Sequence, residues 1–252
     1  MLHKFNEEVT PRIVTAKETV AERYGIPDIK GCDLVCQKLY ELQYMADYAS
    51  YVECGVFKGN TFLTIAAFLE QEGITFPMIG HDSFEGFPAD TALSFDEPYA
   101  FQDLYDSGKI TLEHLEKAKE KTNNFTRRDH LETDYFVEVD NVFKKCSDFN
   151  NVELVVGDFL ETLPQFRGDI AVLFIDCDLY LSYLYCLQVL YQHVVPGGVI
   201  VFDEYYSLKY PGPRLAVDTF FLPLEGEFEC YKTEGEFDHE GYERWCFVKE
   251  SV

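Results

Sequence analysis

Hydrophobic residues recur along this chain with two different periods. Short runs rich in Val, Ile, Leu and Phe stop at an acid or a glycine, and most are separated by stretches with helical spacing. The runs predict strands over residues 51–56, 78–84, 152–156, 172–175 and 199–202, the last two with buried-strand patterns, and the stretches between predict helices. The clearest unit is LFIDCDLY, a helical pattern with Leu184, Leu187, Leu190 and Val194 as its core-facing stripe, then PGGVIVFDEY, where Pro196, Gly197 and Gly198 make a turn. That order is a β-α-β unit. Right-handed crossovers bring the ends of such strands to one edge of the sheet, where α/β proteins bind ligands.

Around this frame the pattern predicts decorations. Residues 12–24 and 33–50 have helical spacing, with Leu34, Leu39, Leu42 and Met45 near one stripe, and Gly25, Pro27 and Gly31 interrupt it. They form an N-terminal helical cap over residues 1–50, which covers the sheet or makes a contact in a homo-oligomer. A helix is expected over 61–70, another over 134–146, and one beginning near Arg214. Residues 87–149 show no strand pattern and read as a lid or substrate-binding insertion. Strands over 227–233 and 242–249, joined by EGEFDHEG, read as a hairpin. The whole is expected to be one α/β domain over residues 1–252.

Composition narrows the function. The chain carries 45 acidic against 21 basic residues, a formal net charge of -24, with no long basic run. Nucleic acid and anionic membrane surfaces are therefore not expected partners. The start MLHKFNEEVTPRIV has no apolar leader core and no stretch is apolar enough to span a bilayer, so a soluble, cytoplasmic protein is expected. Eight cysteines lie without CxxC spacing and read as reduced, mostly buried thiols. Cys177, between two aspartates, is a nucleophile only if a base stands beside it, and alternation points it away from Asp176 and Asp178.

The acids carry the candidate chemistry. Asp176, Asp178, Asp203 and Glu204 follow two neighbouring strands and should face one crevice. Two carboxylates about 4 Å apart repel by roughly 4 kcal/mol at an effective dielectric near 20, so the group calls for a cation or raised pKa values. Oxygen donors without a His or Cys pair favour magnesium, or manganese or calcium, over zinc. The capping of helices by strand-end acids is the alternative.

The first strand ends in VECGVFKGN, where Gly55 and Gly59 permit close backbone approach and the helix start offers N–H groups. The spacing is GxxxG, so the GxGxxG dinucleotide fingerprint is absent. Glu53 would repel a pyrophosphate and could receive an ammonium group. Asp82, ending the second strand, accepts from ribose hydroxyls or is a solvated loop acid. Asp158 accepts from a base-ring amino group or caps the helix after it. The cluster Lys117, Lys119, Lys121, Arg127 and Arg128 reads as a solvated helix face or an anion contact, and His130 as a candidate acid or base or as an ordinary loop histidine.

The motifs VECGVFKGN, DSFEGFP, GDFLETLP, FIDCDLYLS, PGGVIVFDEY and PGPRLAVDTFF, in that order over residues 51–221, resemble the macrocin O-methyltransferase family. The resemblance implies a class I, Rossmann-like sheet, mostly parallel with a C-terminal antiparallel hairpin and helices on both faces. It implies a methyltransferase using S-adenosylmethionine and Mg2+, or another divalent cation, on a sugar hydroxyl of a small molecule in a natural-product pathway. Residue by residue, it makes Glu53, Gly55 and Gly59 contacts of the cofactor's methionine end, Asp82 a contact of the ribose, and Asp158 a neighbour of the adenine. Asp176, Asp203 and Glu204 fall at the metal-ligand positions and Asp178 at that of the general base. Relatives that methylate noviose carry two aspartates where this chain has Asp203 and Glu204. The readings it competes with are a non-sugar hydroxyl or amine as acceptor, a nicotinamide oxidoreductase, and a non-catalytic protein that keeps the cofactor pocket.

Overall fold

In the computed structural model of the chain, residues 2–26, 29, 31–87, 92–127, 137–224, 226–232 and 243–250 are described. The N-terminal part gives β1 (Leu2–His3), α1 (Thr10–Tyr24) and α2 (Cys32–Glu41), and then β2 (Ser50–Cys54), α3 (Asn60–Glu72) and β3 (Met78–Asp82). The insertion contributes α4 (Ala100–Asp106), α5 (Leu112–Lys121) and α6 (Val139–Cys146). After it come β4 (Val152–Val156), α7 (Phe159–Thr162), β5 (Ile170–Ile175), α8 (Tyr180–Leu190) and β6 (Val194–Phe202). The chain closes with α9 (Gly212–Phe221), β7 (Glu227–Lys232) and β8 (Glu243–Val248).

Every residue of β5 is buried, as its unbroken apolar run requires of a strand covered on both faces. It lies between β2 and β6 in a sheet ordered β1-β7-β8-β6-β5-β2-β3-β4. The strands from β4 to β6 are mutually parallel, whereas β8 runs antiparallel to both β6 and β7. Register sets the functional edge. Cys54 pairs with Ile175 and with His81, Ile175 pairs with Phe202, and Asp82 pairs with Val156, so four crossovers deliver their following loops to one line.

Helices cover both faces. On one, α1, α2 and α3 bury Ile13, Val20, Leu34, Leu39, Phe62 and Phe68 against the sheet. On the other, α8 and α9 bury Tyr183, Leu187, Val217 and Phe221. The N-terminal helices are thus part of the main core. The insertion builds a smaller core of Phe101, Leu104, Ile110, Leu115 and Ala118, against which Leu215 of α9 packs.

Several bounds differ from the pattern. The helix expected over 33–50 stops at Glu41, and a 3-10 turn over Gln43–Met45 follows, still burying Met45 as the chain reverses into β2. The fifth strand begins at Val194, not 199, because Val194 already pairs with Ile170 of β5, and the expected turn persists inside the strand as a bulge in which Gly197, at φ +79°, and Gly198 both bond to Lys249. Leu184 is half-buried and faces the cavity described below, whereas Leu187, Leu190 and Val194 enter the core. β1 is two residues long, too short for periodicity to show, and is held by parallel pairing to β7. In the insertion, α4 and α5 have no strong apolar stripe. Thr111 marks the start of α5 by accepting from the His114 N–H. All eight cysteines are free and buried. Among the described residues, no helix is long and apolar enough to cross a membrane.

Candidate active site

A cavity of about 770 Å³ opens along the carboxyl edge of the parallel strands. Its walls include Glu53 and Asp82, at the ends of β2 and β3, and Gly55, Asp158, Asp176, Asp178 and Asp203, which follow the ends of their strands. Glu204 and Gly59 lie beside it, Glu204 buried behind Asp203 and Gly59 at the N-cap of α3.

At the β2 end, Glu53 is 1% exposed. Tyr51, two residues earlier on the same strand face, donates its hydroxyl to Oε2, and Oε1 is buried without a hydrogen-bond partner. Burial pushes the carboxyl up to about 8, Tyr51 opposes the shift, and the charges of Asp82 and Asp203 add to it. An unpartnered carboxylate oxygen in a cavity wall suits a cationic group such as an ammonium. The fit to the methionine end of S-adenosylmethionine is therefore supported by the orphaned atom itself.

Gly55 is in the cavity wall, and the packing of the sheet also demands a glycine there. At φ +97° a Cβ would lie 1.7 Å from the Asp176 carbonyl oxygen, so the missing side chain lets β2 and β5 leave the sheet in contact. A Cβ on Gly59, at φ +76°, would lie 3.0 Å from Val142. Asp82 accepts from the backbone N–H groups of Val56 and Phe57 at 2.7 Å and of Phe84 at 2.6 Å. It therefore ties together the loops after β2 and β3. A carboxylate has roughly four acceptor positions, so capacity for a further hydroxyl remains. Asp158 is the N-cap of α7, accepting from the Leu160 N–H at 2.7 Å.

Asp176, Asp203 and Glu204 each bring a carboxylate oxygen within 4.8 Å of the others. Glu204 is buried, and its Oε2 lies 2.5 Å from the Tyr183 hydroxyl, which is also 2.6 Å from the Ile175 carbonyl. Burial, and then the charges of Asp176, Asp203 and Asp178, raise the Glu204 carboxyl well above the usual range. The oxygen-only donor set suits a hard divalent cation. One fixed cation stands close by: the buried Arg244 guanidinium lies 4.0 Å from Asp203 Oδ1.

Asp178 is not part of that trio. The alternation expected to align it with Asp176 on one strand face ends too early, because β5 stops at Ile175. Asp178 has φ +63°, and the Leu179 N–H donates to the Cys177 carbonyl at 2.7 Å. It is the middle residue of a tight three-residue turn, a strained conformation for a residue with a side chain. Cys177 is buried and its thiol is pushed up to about 12, chiefly by desolvation, so it has no thiolate character.

A family model described as Macrocin-O-methyltransferase (TylF) matches residues 48–221. The chain belongs to the macrocin O-methyltransferase family. Among curated proteins, the 8-demethyl-8-(2,3-dimethoxy-alpha-L-rhamnosyl)-tetracenomycin-C 4'-O-methyltransferase of Streptomyces olivaceus is 29% identical over 188 residues, 71% of this chain. The matched region spans 64% of that relative's length. Two solved structures share the fold. The O-methyltransferase NovP aligns over 97% of this chain and 98% of its own with a TM-score of 0.54 and 18% identity. CalS11, a calicheamicin methyltransferase, aligns over 96% of this chain and 93% of its own at 0.53 and 18%.

In this macrocin O-methyltransferase family member, several residues that shape the site carry no motif signal. Tyr51 was legible by alternation from Glu53. Tyr183 and Arg244 were not, because Arg244 reaches Asp203 only through the antiparallel register of β8 against β6. Lys209 lines the cavity and donates to the Tyr210 hydroxyl at 2.8 Å. The basic cluster on α5 is a solvated face: Lys117 pairs with Glu113 and Lys119 with Glu116. Arg128 and His130 lie outside the described residues.

Proposed function

We propose that this protein transfers the methyl group of S-adenosylmethionine to a sugar hydroxyl of a small molecule, with Asp176, Asp203 and Glu204 holding a divalent cation and Asp178 acting as general base. One juxtaposition carries the reading. An oxygen-only acid trio, a separate aspartate on a strained turn and an orphaned buried carboxylate oxygen all border one edge of the sheet. S-adenosylmethionine supplies a methyl group activated as a sulfonium, and a divalent cation supplies charge that makes a sugar hydroxyl easier to ionise. Glu53 binds the ammonium end. Asp82 offers its remaining acceptor position to a ribose hydroxyl, and Asp158, in the same cavity wall, contacts the adenine. Asp178 would take the proton of the acceptor hydroxyl at its carboxylate, and the cavity walls would hold acceptor and methyl donor side by side. The sugar is suggested by family membership and by the rhamnose-bearing substrate in the name of the Streptomyces olivaceus relative.

A thermal-shift panel tests the reading. S-adenosylhomocysteine at a hundredfold over its dissociation constant should stabilise the protein by about 2.7 kcal/mol, and NADH should have no effect. The Glu53 carboxylate would repel a dinucleotide pyrophosphate, which is why NADH is the control. An NADH response without a response to S-adenosylhomocysteine would overturn the methyltransferase reading. Absence of Mg2+ binding by calorimetry would instead assign Arg244 as the cation that balances the acids.

A further inference from the structure

We propose that Asp96 is a positioning residue for the reaction, reaching out of the insertion to lock the turn that presents Asp178. The inference rests on the reading of Asp178 as the base. A residue with a side chain stays at φ +63° only where its surroundings over-determine the backbone. On the β5 side the Asp176 N–H is fixed to the Cys54 carbonyl at 2.9 Å. On the α8 side the Tyr180 N–H, two residues after Asp178, donates to Asp96 Oδ1 at 2.7 Å.

Asp96 is itself held. Its Oδ2 accepts from the Leu93 N–H at 2.9 Å, its own N–H returns to the Leu93 carbonyl, and it is 1% exposed. Burial raises its carboxyl to about 6 even though both N–H bonds pull the other way, so the acid is placed there at a cost. The third wall of the contact is Gly212 at the start of α9. A Cβ there would lie 2.0 Å from Asp96 Oδ1 and 3.0 Å from the Tyr180 nitrogen. Three distant segments therefore meet at one hydrogen bond beside the base.

Elsewhere the insertion is anchored to the same wall. The buried His114 of α5 bonds through Nε2 to the Ser207 carbonyl at 2.7 Å, and Lys109 pairs with Asp218 of α9. The described part of the insertion is therefore a fixed component of the site rather than a free flap. Loss of the Asp96 contact releases the first turn of α8 and lets the strained turn relax, which moves the Asp178 carboxylate without touching the cofactor loops.

The test uses the full chain as parent, Asp96→Ala, Asp96→Asn and Gly212→Ala. It measures dissociation constants for S-adenosylhomocysteine and Mg2+, amide hydrogen exchange at residues 178–183, and single-turnover methyl transfer to methyl α-L-rhamnoside. Asp96→Ala and Gly212→Ala should exchange faster in that turn and transfer about 100-fold more slowly, with both dissociation constants unchanged. Asp96→Asn keeps an acceptor for the Tyr180 N–H and should recover most of the rate. Parent-like rates in Asp96→Ala, or a rate loss matched by loss of cofactor affinity, overturn the positioning role, as does an Asn variant as slow as Ala. A parent that binds S-adenosylhomocysteine but leaves the rhamnoside unmethylated, with turn exchange unaltered in Asp96→Ala, overturns this inference alone. A parent that neither binds the cofactor product nor transfers methyl removes the proposed function, and this inference with it.

Discussion

Glu53→Gln separates the ammonium pocket from everything else in the site. The carboxyl is 1% exposed and sits at about 8, so at pH 7 only about one molecule in ten carries the charge an ammonium needs. Binding S-adenosylhomocysteine at pH 7 should therefore cost about 1.4 kcal/mol relative to an ionised site and release about 0.9 proton. Affinity should rise about tenfold between pH 6 and pH 7 and flatten near pH 8, where the ligand's own ammonium begins to lose its proton. The stability of the unliganded protein runs the other way. Between 4.5 and about 8 the folded Glu53 keeps a proton that the unfolded chain has lost. The unfolded state then binds fewer protons, so stability falls as pH rises, by up to about 1.4 kcal/mol per pH unit. Glu53→Gln cannot ionise and should remove that decline, gaining stability at pH 8 while losing affinity for S-adenosylhomocysteine. Calorimetry in two buffers of different ionisation enthalpy counts the released proton, and urea titrations at pH 5 and pH 8 measure the stability. Affinity that is flat from pH 6 to 7.5 with no proton release, or a Gln variant that binds as tightly as the parent, would refute the assignment of Glu53.

Other substitutions address the acids and the loops. Asp176→Asn should weaken Mg2+ binding and recover part of its activity with added Mg2+, whereas Asp178→Asn should keep metal and cofactor affinity and slow the single-turnover step by about 10²–10⁴-fold. Equal loss and equal recovery in both would make Asp178 a ligand. Gly55→Ala puts a Cβ 1.7 Å from a carbonyl at a positive φ, so it should destabilise the fold by at least about 3 kcal/mol in urea titration, before any effect on ligand. A stable Gly55→Ala variant that loses only cofactor binding would show that the glycine serves the ligand and not the packing of β2 against β5. Arg244→Met leaves Asp203 buried without its fixed cation and should destabilise the metal-free protein by up to about 3 kcal/mol, with Mg2+ restoring part of it. A Met variant with unchanged melting temperature would show that Arg244 does not balance the acids.

The sheet was legible because β-strands buried on both faces have unbroken apolar runs, and β5 and the second half of β6 show them plainly, whereas the edge strand β4 is apolar apart from Glu153 but only partly covered. The residues ending those runs could be assigned to one edge because right-handed crossovers leave little choice. Local motifs of short range, such as the glycines after β2 and the acids after β5 and β6, were therefore readable as candidates. The sequence could not say which atoms meet. Asp178 was expected on a strand face, but the strand ends before it and a turn with φ +63° takes over, held partly by Asp96 from 82 positions earlier in the chain. Arg244 meets Asp203 through a register set by the pairing of β8 with β6, and Gly55 leaves the room that the neighbouring Asp176 carbonyl occupies. Periodicity reports which face of an element is buried, and so the chain alone determined the layers and the edge. Contacts between segments far apart in sequence depend on register and on the docking of the insertion, which no local pattern encodes, and these decided how each acid is held.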